Sequence, residues 1–213
     1  MEGDVLNLAD ALPGDTELLP DFFEGALVPA VEGDGLSAST PLRLAAMSAT
    51  STVTLDLDGF VVPDAAVASI VEVETWKAVD AAKTANVTAA VFGLQAQVVR
   101  RLAQTAAARE DRTAEGLANR LRSEADDLRG AAYALIDHVP AGEQIEDRLA
   151  LRAHALELTL RSAAALVTVT GGSAMATSAP AQRHLREAAF LLVQAQTGPV
   201  REATLQRWAE QTP

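Results

Sequence analysis

Apolar and polar positions along the chain change rhythm near residue 72. From Val73 to Ala209 apolar residues recur at the 3.6-residue spacing of helices that bury one face, which predicts helices near 73–107, 112–138, 144–170, 180–195 and 199–210. Before that point the pattern shifts every few residues and Gly, Pro, Asp, Ser and Thr are frequent. Two stretches there, 25–31 and 50–57, read as strands. The second alternates, with Thr52, Thr54 and Asp56 on one face and Val53, Leu55 and Leu57 on the other. Asp58-Gly59 then turns the chain, and Phe60 to Asp64 reads as a short extended segment whose Pro63 suits a strand end. Residues 1–24 fit either an acidic lead or a covering segment.

Within the helical part, Val139-Pro140-Ala141-Gly142 separates the second helix from the third, because proline cannot continue a helix and glycine relieves its end. Leu149, Ala153, Leu156, Leu160, Ala163 and Val167 make one apolar stripe on the third helix, with Arg148, Arg152 and Arg161 off it. Alanine, the best helix former, makes up about a fifth of the chain and lets helix backbones approach closely. The expected fold is mainly α: a small partial β-domain over 1–72, then an antiparallel four-helix bundle domain over 73–213.

Charge sharpens this division. Residues 1–72 hold 13 acids and one base, Arg43, whereas 73–213 hold 16 of each, so the whole net charge of −12 lies in the first part. No clustered basic face is available for phosphates, which argues against nucleic acid as a partner. No apolar run reaches the length of a bilayer span and the first residues lack a basic signal region, so the expectation is no membrane partner and a cytoplasmic protein. The absence of cysteine removes thiol catalysis and thiolate metal sites.

Local motifs add little chemistry. His138, His154 and His184 lie far apart, without metal-ligand spacing, and read as surface or helix-end residues. Gly171-Gly172-Ser173-Ala174-Met175 lacks the second glycine of a nucleophile elbow and reads as a helix-ending glycine pair. Neither a P-loop nor a GxGxxG occurs. Glu110-Asp111 and Asp126-Asp127 are adjacent carboxylates, about 100° apart on a helix, and read as solvated faces.

Three segments, taken in order, carry a family resemblance: Val53 to Pro63, the small-residue helix around Ala89-Ala90-Val91-Phe92-Gly93-Leu94, and Gly171-Gly172 followed by Pro180 to Ala188. Together they resemble the acyl-CoA dehydrogenase family, over residues 50–210: the end of its central β-domain, the first helix of its C-terminal bundle and the stretch before its last helices. The resemblance implies FAD as cofactor, acyl-CoA as ligand, a place in lipid metabolism and oxidoreductase chemistry, with the flavin accepting hydride. It implies that Arg109 meets the FAD pyrophosphate, that Gly171 and Gly172 approach a neighbouring subunit's FAD, and that Thr197 contributes to the same cofactor.

The chain also departs from that family pattern. The usual catalytic glutamate position is Ala195, and no catalytic residue is assigned. An alternative base position on the first bundle helix falls near Lys83, with Asp80 the nearest carboxylate. A flavin-binding loop is missing between Arg109 and Leu117, Thr168 stands where the family has a glutamine, and the family's N-terminal helical domain is absent. The expected function is therefore a truncated, non-catalytic or half-site subunit, pairing with itself or with a full-length dehydrogenase-like chain. Two alternatives remain open: an active enzyme with a base relocated to Asp80, Glu110 or Asp111, and a cofactor-free scaffold on the same fold.

Overall fold

In the computed structural model, which describes residues 35–210, the chain divides into two compact units between Ile70 and Val71. The chain is mainly helical, with one small antiparallel sheet.

In the first unit, β1 (Leu36–Ala38) pairs with β2 (Leu55–Leu57) in the register Leu36↔Leu57, Ser37↔Asp56 and Ala38↔Leu55. Gly35 is needed beside this pairing. Its φ is +88°, and a Cβ there would come within 2.3 Å of the Asp58 carbonyl oxygen. The strand expected over 50–57 is thus shortened to its last three residues. A 3₁₀ turn at Ser48–Thr50 and a left-handed Ser51 (φ 51°) bend the chain before it can extend, and the Ser39 hydroxyl accepts the Thr54 N–H at 2.9 Å in place of a second strand's carbonyl. Leu55 and Leu57 are both exposed, so the alternation does not mark a buried face within this unit. The strand expected over 25–31 and the segment 1–24 lie outside the described residues.

The second unit contains α1 (Val73–Thr84), α2 (Ala89–Ala108), α3 (Arg112–His138), α4 (Ile145–Thr170), α5 (Pro180–Leu191) and α6 (Gly198–Glu210). The single helix expected over 73–107 is two. Ala85 to Thr88 interrupts it: the Asn86 amide turns back to the Ala82 carbonyl at 3.2 Å, and Thr88 takes extended geometry before α2. Side-chain capping marks the starts of α1 and α3, among others. Glu72 accepts from the Thr75 N–H before α1, and Asp111 accepts from the Ala114 N–H at 3.0 Å before α3. The helix expected to reach 195 ends at Leu191, because Leu192 to Ala195 tighten into turns and Ala195 takes φ 46°.

Helix α4 is the centre of the unit, packing against α2, α3, α5 and α6. Five consecutive residues, Ala155 to Thr159, are buried, so it has no solvent face over that turn. This is why a single stripe underestimates its buried surface. The outer helices behave as stripes: α2 buries Val91, Phe92, Gln95, Val98, Val99, Leu102 and Ala106, at helical spacing. Ala106, Ala118, Ala163 and Ala174 have no exposure at all. Small side chains at these positions let neighbouring backbones come close. No helix among the described residues is long and apolar enough to cross a membrane.

Candidate functional site

Two of the three arginines that the helix pattern placed off the apolar stripe of α4 are in fact its best-connected buried groups, whereas Arg161 is exposed. Arg148 and Arg152, one turn apart, are 3% and 4% exposed. Arg148 donates to the carbonyls of Leu135 (2.9 Å), Val139 (3.0 Å), Pro140 (3.4 Å) and Glu143 (2.9 Å), and to Asn86 Oδ1 at 2.6 Å. Arg152 donates to the carbonyls of Thr84, Gln194 (2.9 Å) and Ala195 (3.2 Å). The ends of α1 and α3 and the turn after α5 therefore converge on two guanidinium groups. Helix C-termini carry orphan carbonyls and partial negative charge, and a guanidinium offers five donors in a fixed fork. Burial pushes the Arg152 pKa down to about 10, which leaves it charged at neutral pH. The sequence signal was available: neither α1 nor α3 is followed directly by a glycine that would close its end.

At the other end of α4 lies a second corner. Arg109, exposed in the turn between α2 and α3, donates to the carbonyl of Thr170, the last residue of α4, at 2.9 Å. That contact sets Arg109 beside Gly171 and Gly172. Gly171 adopts φ 75°, ψ −157°, a conformation suited to glycine that ends α4 and starts a 3₁₀ turn over Gly171–Met175. A Cβ on Gly172 would meet nothing within 4 Å. The pair thus forms an exposed stretch of bare backbone under an arginine.

Thr197 is not part of this corner. Its hydroxyl accepts the Val200 N–H at 3.5 Å at the start of α6, two residues after the Ala195 carbonyl that Arg152 holds. From Arg152 to Thr170 the helix rises about 27 Å. Ala195, at the position where the resemblance puts a base, presents its carbonyl to Arg152. Asp80 is half-buried on α1 and Lys83 is exposed, Glu110 is an exposed turn residue with φ 54°, and Asp111 caps α3. Glu110 and Asp111 thus follow Arg109 in the same turn, whereas Asp80 belongs to α1.

His138 is exposed at the end of α3, as expected, but the other two histidines differ from the surface reading. His184 is 2% exposed, with Nδ1 2.7 Å from Glu187 Oε2. His154 Nε2 lies 2.8 Å from Glu124 Oε1, and Arg161 reaches Glu124 Oε2 at 2.5 Å, tying α3 to α4. A shallow groove of about 570 Å³ runs past this link, lined by Arg120, Glu124, Asp127, Leu128 and His154 among others. Burial alone would raise the Glu124 pKa, but the hydrogen bonds and charges of His154 and Arg161 outweigh it and hold the carboxyl below its ordinary value of 4.5. A folded pKa below the unfolded one makes this contribution complete above about pH 4.5 and lost as pH falls through the folded value. Glu124→Gln should melt roughly 2 °C below the parent at neutral pH, and the two curves should converge in acid, as followed by circular dichroism. Among the described residues no three His, Asp or Glu side chains come together as a metal site.

Comparison with known proteins bears on the fold. No family model matches the sequence, and no curated protein matches it. A solved structure described as the electron transferring flavoprotein of Acidaminococcus fermentans superimposes with a TM-score of 0.58 at 15% identity, over 82% of this chain and 49% of that one. The chain thus spans about half the length of that relative. The resemblance to the acyl-CoA dehydrogenase family does not stand: its motifs are short and common, no family model supports them, and the solved structure named above is described as an electron transferring flavoprotein.

Proposed function

We propose that the chain is a non-catalytic helical subunit of a flavin-dependent electron-transfer assembly. It lends the Arg109–Gly171–Gly172 corner to the diphosphate of FAD, whose remaining contacts come from a second copy or a different partner chain. The observation that carries this reading is the corner itself. Arg109 spends one N–H on Thr170, leaving a charged fork of donors beside backbone that carries no side chain, and arginine is well matched to phosphate oxygens. The fold shared with an electron transferring flavoprotein supports the class of assembly and no particular reaction. In this reading α2 to α5 form an antiparallel four-helix bundle: consecutive helices pack together, α5 closes back on α2, and three residues join α2 to α3.

A cofactor-free scaffold is the second reading, favoured by the bond from Arg109 to Thr170, which gives the guanidinium a structural task, and by the distance of Thr197. Gly172→Ala separates the two. Since nothing among the described residues meets the added methyl, its melting temperature should stay within about 1 °C of the parent. If FAD approaches this backbone, the flavin content of the isolated assembly should nevertheless fall about tenfold, and Arg109→Ala should lower it by about ten- to a hundredfold. Unchanged flavin content in both variants would leave the scaffold reading standing.

A further inference from the structure

We propose that the cleft between α2 and α3 is a binding site for a small hydroxycarboxylate, a monoanion with an apolar body and a hydroxyl at its far end. The cleft holds about 180 Å³ and is lined by Phe92, Ala96, Val99 and Ala125, with Arg100, Arg122, Arg129 and Asp126 among its other lining residues and Gln95 buried at 2% exposure.

The buried amide is the distinguishing feature. Gln95 Nε2 donates to Ser162 Oγ at 3.0 Å, and that hydroxyl in turn donates to the Leu158 carbonyl at 2.7 Å, so the direction of the chain of hydrogen bonds is fixed. Gln95 Oε1 is buried without a hydrogen-bond partner. A buried acceptor left unpaired costs free energy, and a hydroxyl entering the cleft supplies the missing donor. The terminal torsion of glutamine is soft, so a small turn of the amide presents the oxygen to the cleft while keeping the Ser162 bond.

Charge selects the other end of the ligand. Asp126 already pairs with Arg129 at 2.8 Å, which leaves Arg100 and Arg122 as the net positive pair. Their present partners are the neutral side chains of Gln97, half-buried, and Asn119, exposed, each one helical turn away, and a carboxylate is a stronger acceptor than either. A dianion would also meet Asp126. The Phe92 ring, Val99 and the two alanines suit an apolar body of a few carbons, and a volume near six waters sets the size.

The site is independent of the flavin reading. Its test is calorimetric titration of the full chain with 4-hydroxybenzoate and, for comparison, benzoate, which lacks the hydroxyl. The parent should bind 4-hydroxybenzoate about tenfold more tightly than benzoate. Gln95→Met should remove that preference, while Arg100→Ala with Arg122→Ala, both on the surface, should weaken both compounds about tenfold. Failure of the parent to bind either compound at millimolar concentration, equal affinity for the two, or affinity unaltered in the double arginine variant would overturn the proposal.

Discussion

Arg152→Leu should lower the melting temperature by roughly 8–15 °C, the largest effect expected of any single substitution in this chain. The reason is not lost charge alone. Leucine fills the space, but it leaves the carbonyls of Thr84, Gln194 and Ala195 without their donor, in surroundings where Arg152 itself is only 4% exposed. Removing one side of a buried charged contact typically costs about 3–5 kcal/mol, because the partners stay desolvated. Arg152→Lys should recover only part of the loss: an ammonium is a compact point charge, without the planar fork that here spans the ends of two elements. Thermal melts followed by circular dichroism at neutral pH measure both variants.

Arg148→Leu should come close to this in size. Its guanidinium holds the Leu135, Val139, Pro140 and Glu143 carbonyls and the Asn86 amide oxygen, five acceptors that close α3 and fix the turn into α4. Proline at 140 cannot donate, and Gly142 (φ 94°) and Gln144 (φ 52°) are held in left-handed geometry, so the turn relies on this side chain for its shape. Amide hydrogen exchange should therefore rise across 135–144 before the helices themselves open. In the double variant with Arg152→Leu the loss should be smaller than the sum, since both arginines sit on one helix and act on the Thr84–Asn86 bend.

The helical half of the fold was legible because its outer helices are one-sided. Helices α3 and α4 form over Arg112–His138 and Ile145–Thr170, against expectations of 112–138 and 144–170, with Pro140 and Gly142 marking the break between them. Less legible was the split at Asn86, where no proline or glycine signals the stop, and local amide bonding makes it. The buried arginines were misread for a physical reason. A stripe argument assumes one packed face, but α4 is enclosed by four helices, and a charge facing a helix end is stabilised by carbonyls that leave no mark in hydrophobic periodicity. Of the residues expected from the resemblance to meet a cofactor, Arg109, Gly171 and Gly172 come together because α2 and α4 end side by side. Thr197 caps α6 near the opposite end of α4, a separation that depends on tertiary packing and not on spacing.

The flavin assembly is tested most directly by isolating the tagged full chain, with whatever it binds, from its own cells and recording its visible spectrum. The assembly should show a flavin band near about 450 nm that is lost from the Gly172→Ala and Arg109→Ala forms without loss of folded protein. A parent chain that emerges colourless, alone or with partners, would contradict it.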